Sequence, residues 1–190
     1  YEVLTPAEMR RVFRVRTIVG TDPAAGTVTV TPVMRDQAFE TQRHGRALVV
    51  SGGGTGGALM RELIVHGWSV SCAGLSVGDT DHLVASALEL PLVGLPPFRE
   101  AEASEVREIE EACAHTDALV IAEVPFGVTN VANLRAATVR PRRLVLIGDI
   151  EGRDFTGGDA TQLWRRAVAA GARVVRNEAE AVSALEDMRP

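Results

Sequence analysis

The sequence contains no lysine: all 20 basic residues among its 190 are arginines. A P-loop needs a lysine that reaches the phosphates of a bound nucleotide, so this chain holds no P-loop. We attribute the exclusive use of arginine to coding bias rather than to function. The arginines form no basic block, and the formal net charge is -5, so the sequence predicts no nucleic-acid partner.

Long apolar runs and cysteines are equally scarce. No run reaches about 18 apolar residues, so the sequence predicts no membrane span, and we expect no signal peptide at its start. The cysteines, Cys72 and Cys113, have no second cysteine or histidine at metal-ligand spacing, which predicts two buried thiols in a reducing compartment and no metal site. The remaining composition is typical of a globular protein. Because the first residue is Tyr1 rather than methionine, we expect a processed or excised chain.

The pattern of the chain changes near residues 35–45 and predicts two parts. Residues 1–34 hold a helix that begins at Thr5 and Pro6, followed by two short β-rich runs around a turn signal at residues 22–26. Residues 35–45 are polar and lack periodicity, and we interpret them as a linker. From residue 46 to residue 190, strand-like runs alternate with helical ones. This alternation predicts an α/β fold, a doubly wound, Rossmann-like, mainly parallel sheet with a short N-terminal helix–hairpin appendage.

A glycine-rich turn follows the first strand of the predicted sheet, at residues 47–50, and precedes a helix. The turn comprises Gly52, Gly53, Gly54, Thr55, Gly56 and Gly57. Its glycines permit a tight turn and a close ligand, and the helix N-terminus offers N–H groups to an anion such as a nucleotide phosphate. Tight packing of the helix on the strand explains the same glycines without a ligand, and the sequence leaves both readings open.

Binding of NAD is disfavoured. A dinucleotide site requires an acidic residue at the end of the second strand, where it holds the ribose. We predict that this strand covers residues 68–73, and no acid stands at its end. The cofactor therefore stays unknown, with a nucleotide or another anion as the candidate ligand.

Three later loops carry polar residues that we expect near the same edge of the sheet. They contribute the candidate ligand-binding residues Asp79, Asp81, Phe126, Gly127, Asn130, Asn133 and Asp149. Asp79 and Asp81 are also suited to the first turn of a helix, and Phe126 is suited either to stacking on a ligand or to covering the sheet. Loops after parallel strands meet at one edge, where such sheets bind ligands. No catalytic residue can be named.

Two stretches resemble the ATP-binding subunits of ABC importers for cobalamin, haem and iron-siderophores. The first, about 33 residues long, includes Leu4-Thr5-Pro6 and Asp22-Pro23, and is similar to the end of the ATPase domain. The second is similar to a C-terminal extension of some of these subunits, and its matching words are Gly52-Gly53-Gly54-Thr55-Gly56, Gly78-Asp79-Thr80-Asp81 and Val124-Pro125-Phe126-Gly127 with Asn130 and Asn133. The Walker A, signature and Walker B motifs are absent, so this chain alone should not hydrolyse ATP.

The resemblance implies a cytoplasmic protein, peripheral to the inner face of the cell membrane, whose missing ATPase core contacts a membrane subunit. Three functions remain open for the α/β part: an accessory ligand-sensing or regulatory domain, an enzyme acting on a nucleotide or corrinoid-like molecule, and a structural domain that forms a homodimer.

Overall fold

A computed structural model describes residues 4–22, 24–40, 44–139 and 143–188. Parts of three sequence-based interpretations lie outside these ranges: residues 1–3 of the ATPase-like segment, Pro23 of the predicted turn, and residues 41–43 of the predicted linker.

The chain begins with a helix and a β-hairpin, followed by a 3-10 turn, which together form the N-terminal unit. Its elements are α1 (Pro6–Phe13), the antiparallel strands β1 (Val15–Thr21) and β2 (Val28–Arg35), and the 3-10 turn Asp36–Phe39. Thr5 caps α1 by accepting a hydrogen bond from the Glu8 N–H, as its residue type predicts.

The predicted linker contains regular structure in its first half. Strand β2 continues to Arg35, and the 3-10 turn places the Asp36 carboxylate in bonds with Arg10 and Arg16. The Arg16 guanidinium also lies 3.5 Å from the centre of the Phe39 ring. The sequence pattern did not predict this structure, because its contacts join residues far apart in the chain and periodicity reports only local order.

The rest of the chain alternates strands with helices. The strands are β3 (Arg46–Val50), β4 (Ser69–Ser76), β5 (Leu92–Leu95), β6 (Ala118–Ile121), β7 (Arg143–Ile147) and β8 (Arg173–Val175). The helices are α2 (Gly57–Val65), α3 (Thr80–Ala87), α4 (Ala103–Ala114), α5 (Val131–Thr138), α6 (Asp159–Ala169) and α7 (Glu178–Asp187). Strands β3, β6 and β7 are nearly completely buried, because helices cover both faces of the sheet.

The six strands pair in parallel in the order β5-β4-β3-β6-β7-β8. The chain winds outward from β3 to β5, then returns to the other side of β3 and winds outward again to β8. The strand order therefore reverses between β3 and β6, whose carboxyl ends frame the point where open α/β sheets bind ligands. The predicted α/β, Rossmann-like fold is confirmed.

Strand β4 differs from the prediction. It continues to Ser76, and Gly74 inside it has φ 73° at an irregularity in the pairing with β5.

In the described ranges, none of the helices combines the length and apolar character that a bilayer crossing needs.

Candidate functional site

A cavity of about 270 Å³ lies at the carboxyl ends of β3, β4, β5 and β6, beside the point of strand reversal. We call it the switch-point cavity. Residues that line it include Gly52, Gly53, Asp79, Phe98, Arg99 and Asn130. The four elements thus bring together loops that are far apart in the sequence, as expected for this sheet topology.

The glycine-rich turn closes on itself at its base. The Thr55 N–H and hydroxyl both bond the Gly52 carbonyl, at 3.4 Å and 2.9 Å. Gly53 and Gly54 have φ values of 67° and 84°, a left-handed conformation that glycine adopts without strain. The predicted strand–turn–helix arrangement is therefore present.

Two carboxylates occupy N–H groups of this turn. The Gly53 N–H donates to Asp79 Oδ2 at 2.7 Å, and the Gly56 N–H donates to both oxygens of Asp81 at 3.0 Å and 3.1 Å. Of the two readings of the turn, ligand binding called for N–H groups open to the crevice, and those of Gly53 and Gly56 are already bonded to carboxylates. A phosphate at either group would meet a carboxylate that already carries the negative charge favoured there.

Asp81 lies behind the turn and is completely buried, so it does not face the cavity as predicted. Burial raises the pKa of its carboxyl group, while the hydrogen bonds from the Gly56 N–H act in the opposite direction. Asp81 thereby supplies the N-terminal cap that α2 lacks from its own residues, because glycine stands at the capping position.

Asp79 is the N-terminal cap of α3 and also lines the cavity. Its Oδ1 accepts the Asp81 N–H at 2.9 Å, which is a standard cap, while Oδ2 takes the bond from Gly53. One carboxylate therefore joins the loop after β4 to the turn after β3, and it presents negative charge to the cavity.

Gly56 is required for packing rather than for ligand approach. A β-carbon at this position would lie 2.2 Å from Ser51 Oγ and 2.4 Å from Ser51 Cβ. Gly57 is also buried, but a β-carbon there would meet only ordinary contacts, the nearest 3.4 Å away at Val84 Cγ2. Tight packing of helix on strand therefore explains the residue type at position 56 alone.

Phe126 is completely buried. Its N–H bonds the Arg153 carbonyl and its carbonyl accepts the Phe155 N–H, so it pairs like a short strand with the segment after β7. Its ring is not accessible for stacking, and of the two readings the covering of the sheet is the correct one.

The loop between β6 and α5 is held by Asn130. Asn130 Oδ1 accepts the Gly127 N–H at 2.7 Å, and Nδ2 donates to the Pro125 carbonyl at 2.9 Å. Asn130 lines the cavity, whereas Gly127 does not.

Asn133, one turn into α5, is buried and donates to the Gly74 carbonyl at 2.9 Å. It joins α5 to the irregular part of β4 and therefore has a structural contact that the sequence did not reveal. A side chain at position 74 would collide with it at 2.3 Å.

Asp149 does not line the switch-point cavity. It follows β7, accepts the Glu151 N–H at 2.7 Å, and lines a separate cavity of about 590 Å³ together with Glu123, Arg153 and Arg176. Gly54 and Thr55 also face away from the switch-point cavity, toward a third cavity of about 270 Å³ near Glu123 and Asn177. Of the predicted site residues, Gly52, Gly53, Asp79 and Asn130 are brought together.

Two residues of the site were missed. Phe98 has a φ of 63° and is 99% exposed, although it lines the mouth of the cavity. Arg99 beside it forms a two-bond pair with Glu105, at 2.9 Å and 2.6 Å. A left-handed conformation costs a bulky residue about 1–3 kcal/mol, and such strain concentrates at functional sites. The only sequence signal was an aromatic residue after Pro96 and Pro97.

The polar groups of the cavity are suited to binding. They include the Asp79 carboxylate, the Asn130 amide, the hydroxyls of Ser76 and Thr129, and the paired Arg99 guanidinium. Within the described ranges, no group of three His, Cys, Asp or Glu side chains is placed to hold a metal ion.

Two curated relatives carry the name cobalamin import ATP-binding protein BtuD and come from Halobacterium salinarum strains R1 and NRC-1. This chain is 38% identical to each over 152 residues, which cover 79% of this chain and 37% of the relative. The chain thus spans little more than a third of their length. The similarity supports the relationship to importer ATP-binding proteins that the sequence motifs indicated.

Among solved structures, the crystal structure of AibC has a TM-score of 0.39 and 13% identity, covering 78% of this chain and 42% of that chain. A mycobacterial quinone oxidoreductase has a TM-score of 0.39 and 16% identity, covering 84% of this chain and 53% of that chain. The MJ0874 family model matches residues 70–182, which is more than half of the sequence. The chain belongs to the MJ0874 family.

Proposed function

We propose that this chain is the C-terminal part of a cobalamin importer ATP-binding protein, made of the end of its ATPase domain and an accessory α/β domain, and that the α/β domain senses a ligand in the switch-point cavity. The similarity to two proteins named for cobalamin import supports the first half. In the complete protein, the ATPase core contacts a membrane subunit at the cytoplasmic face, and the α/β domain reports on the ligand.

The observation that carries the sensing role is the position of α3. Its N-terminal cap, Asp79, lines the switch-point cavity and bonds Gly53. Past its other end, the Glu89 carboxylate accepts a hydrogen bond from Arg10 of α1, in the segment that resembles the end of an ATPase domain. One helix of eight residues, about 12 Å long, thus separates the cavity from the ATPase-like segment.

A second contact strengthens the same link. Arg10 also bonds the Asp36 carboxylate at 3.1 Å, and Asp36 in turn holds Arg16 of β1 at 3.3 Å. The end of α3 is therefore joined through Arg10 to two other elements of the N-terminal unit. A ligand that binds one position of Asp79 better than another would bias the position of α3, and through it the contacts of α1.

The experiment uses the full-length protein with its membrane subunit and measures ATP hydrolysis over a range of cobalamin concentrations. We expect cobalamin to change the hydrolysis rate in the wild type. Glu89→Gln, which removes the charge that Arg10 contacts, should abolish most of that change. Glu108→Gln on the exposed face of α4 is the matched control and should retain it.

Two results would contradict the proposal. A hydrolysis rate that is independent of cobalamin in the wild type would remove the sensing role, as would a Glu89→Gln variant that responds like the wild type. The relationship to an importer would be refuted if the reading frame preceding Tyr1 encoded no Walker A, signature and Walker B motifs.

A further inference from the structure

We propose that the ligand of the switch-point cavity is a planar ring that carries N–H donors or positive charge, bound between the Asp79 carboxylate and the Phe98 ring, and that it is not a phosphate. This inference rests on the proposed function, in which the same cavity is the sensing site. Three properties of the cavity lead to it: its charge, its exposed aromatic residue and its size.

The charge of the cavity is the reverse of what a phosphate site needs. The Gly53 and Gly56 N–H groups already donate to Asp79 and Asp81, so neither is open to an anion. Each oxygen of Asp79 accepts one backbone bond, and a carboxylate oxygen can accept a second. The remaining acceptor capacity of Asp79 is therefore available to a donor on the ligand.

Arg99 does not offset this negative charge. Its guanidinium also lines the cavity, but it donates two bonds to Glu105 and a third to the Glu100 carbonyl. Glu102 lies 3.7 Å from the same group. An anion would have to compete with two carboxylates for Arg99, whereas a cation or N–H donor needs no such exchange.

Phe98 supplies a flat apolar surface at the mouth of the cavity. Its side chain is 99% exposed, so it adds little to the core, and its φ of 63° is a conformation that bulky residues avoid. Pro96 and Pro97 stiffen the chain before it, and the Arg99–Glu105 pair anchors the chain after it. A ring carried on a backbone held in this way can stack on a planar ligand, and more strongly on a cationic one.

The cavity volume of about 270 Å³ limits what fits. It lies just below the range of roughly 300–1,000 Å³ typical of small-molecule sites. The cavity therefore suits a single ring, or one planar group of a larger molecule whose remainder stays in solvent.

The experiment compares three probes of equal size and shape: benzamidine, benzamide and benzoate. Binding to this chain is followed by NMR titration, which detects weak ligands and reports which residues respond. We expect benzamidine to bind more tightly than benzamide, and benzamide more tightly than benzoate, with shifts at Gly53, Asp79 and Asn130. Benzoate binding as tightly as benzamidine, or no binding of any probe at saturating concentration, would overturn the inference.

Variants test the two contacts separately. Asp79→Asn keeps a residue that caps α3 well, and it should lower the affinity for benzamidine by roughly tenfold because a charged hydrogen bond is lost. Phe98→Ala should weaken all ring probes by about twofold to tenfold through loss of stacking. Phe155→Ala removes another exposed phenylalanine, one that does not line the cavity, and should leave affinity unchanged. Benzamidine binding that is unaffected by both Asp79→Asn and Phe98→Ala would also overturn the inference.

The two proposals fail in different ways. If cobalamin changes ATP hydrolysis through Glu89 but the probes show no preference for positive charge, the sensing role stands and the ligand class is wrong. If benzamidine binds as expected while hydrolysis does not respond to cobalamin, the ligand class stands and the sensing role is wrong.

Discussion

Replacing Gly56 by alanine tests whether the glycine-rich turn is built by packing. A β-carbon at position 56 would lie 2.2 Å from Ser51 Oγ, 2.4 Å from Ser51 Cβ and 3.2 Å from Met60 Cε. Carbon contacts are normally about 3.5–4.0 Å, so the overlap exceeds what a rotation of Ser51 can relieve. Gly56 has φ -101°, which alanine adopts readily, so the cost arises from the collision alone.

The expected loss of stability is several kcal/mol. Overpacking of a closed site costs about 1–3 kcal/mol, and disturbing the buried bond from Gly56 to Asp81 adds about 1–3 kcal/mol. A loss of about 3 kcal/mol, with an m-value near 2 kcal/mol per M, lowers the midpoint of urea unfolding by about 1.5 M. Circular dichroism in urea measures this shift directly.

Gly52→Ala is the control within the same turn. Its β-carbon would meet Asp79 Oδ2 at 3.8 Å and Val124 Cγ1 at 4.0 Å, which are ordinary contacts. We expect Gly52→Ala to change the free energy of unfolding by no more than about 0.5 kcal/mol.

A rescue experiment identifies the colliding atom. Ser51→Gly removes both the hydroxyl and the β-carbon and should recover much of the stability of the Gly56→Ala protein, whereas Ser51→Ala leaves the β-carbon at 2.4 Å and should not. The reasoning is refuted if Gly56→Ala unfolds at the same urea concentration as the wild type, or if Ser51→Ala rescues as well as Ser51→Gly.

Three further changes probe other parts of the site. Burial raises the folded-state pKa of Asp81 above 3.8, so the wild type should lose stability relative to Asp81→Asn as the pH rises through that folded pKa. Above the folded pKa, the difference in stability between the two proteins should be constant. Urea unfolding from pH 3.5 to 7.5 measures this difference, and a difference that does not change with pH would contradict the reasoning. Phe98→Gly places a residue without a β-carbon at the left-handed φ, so a thermal melt should show unchanged or slightly higher stability. A loss of stability above about 1 kcal/mol would contradict the inference that Phe98 is strained. Gly74→Ala should lower the free energy of unfolding by about 2–4 kcal/mol, because position 74 has φ 73° and the added β-carbon collides with Asn133. Adding Asn133→Ala should restore only the part of this loss that comes from the collision, as urea unfolding of the single and double variants will show.

Much of the fold is predictable from the sequence because the strands are buried on both faces. Such strands appear as short apolar runs, and the run at residues 47–50 located β3 to within a residue. The glycine-rich turn was located in the same way, since it follows one of these runs directly.

The chemistry of the turn was not predictable, because it depends on contacts between distant residues. The bond from Gly53 to Asp79 spans 26 positions, and the bond from Gly56 to Asp81 spans 25. Both depend on β4 continuing to Ser76, past the irregularity at Gly74, and no periodicity encodes that. The exposure of Phe98 was not predictable from its residue type, because phenylalanine is among the residues most often buried in the core.

The carboxylate of Asp81 at the start of α2 has a consequence for cooperativity. Helix α2 follows β3 in the chain, but the carboxylate that accepts the Gly56 N–H lies in the first turn of α3, on the far side of β4 in the sequence. We therefore expect the two strand–helix units to open together as one cooperative element. Amide hydrogen exchange would register this as a common opening free energy for Gly53, Gly56 and the first amides of α3, separate from the fraying of the N-terminal hairpin.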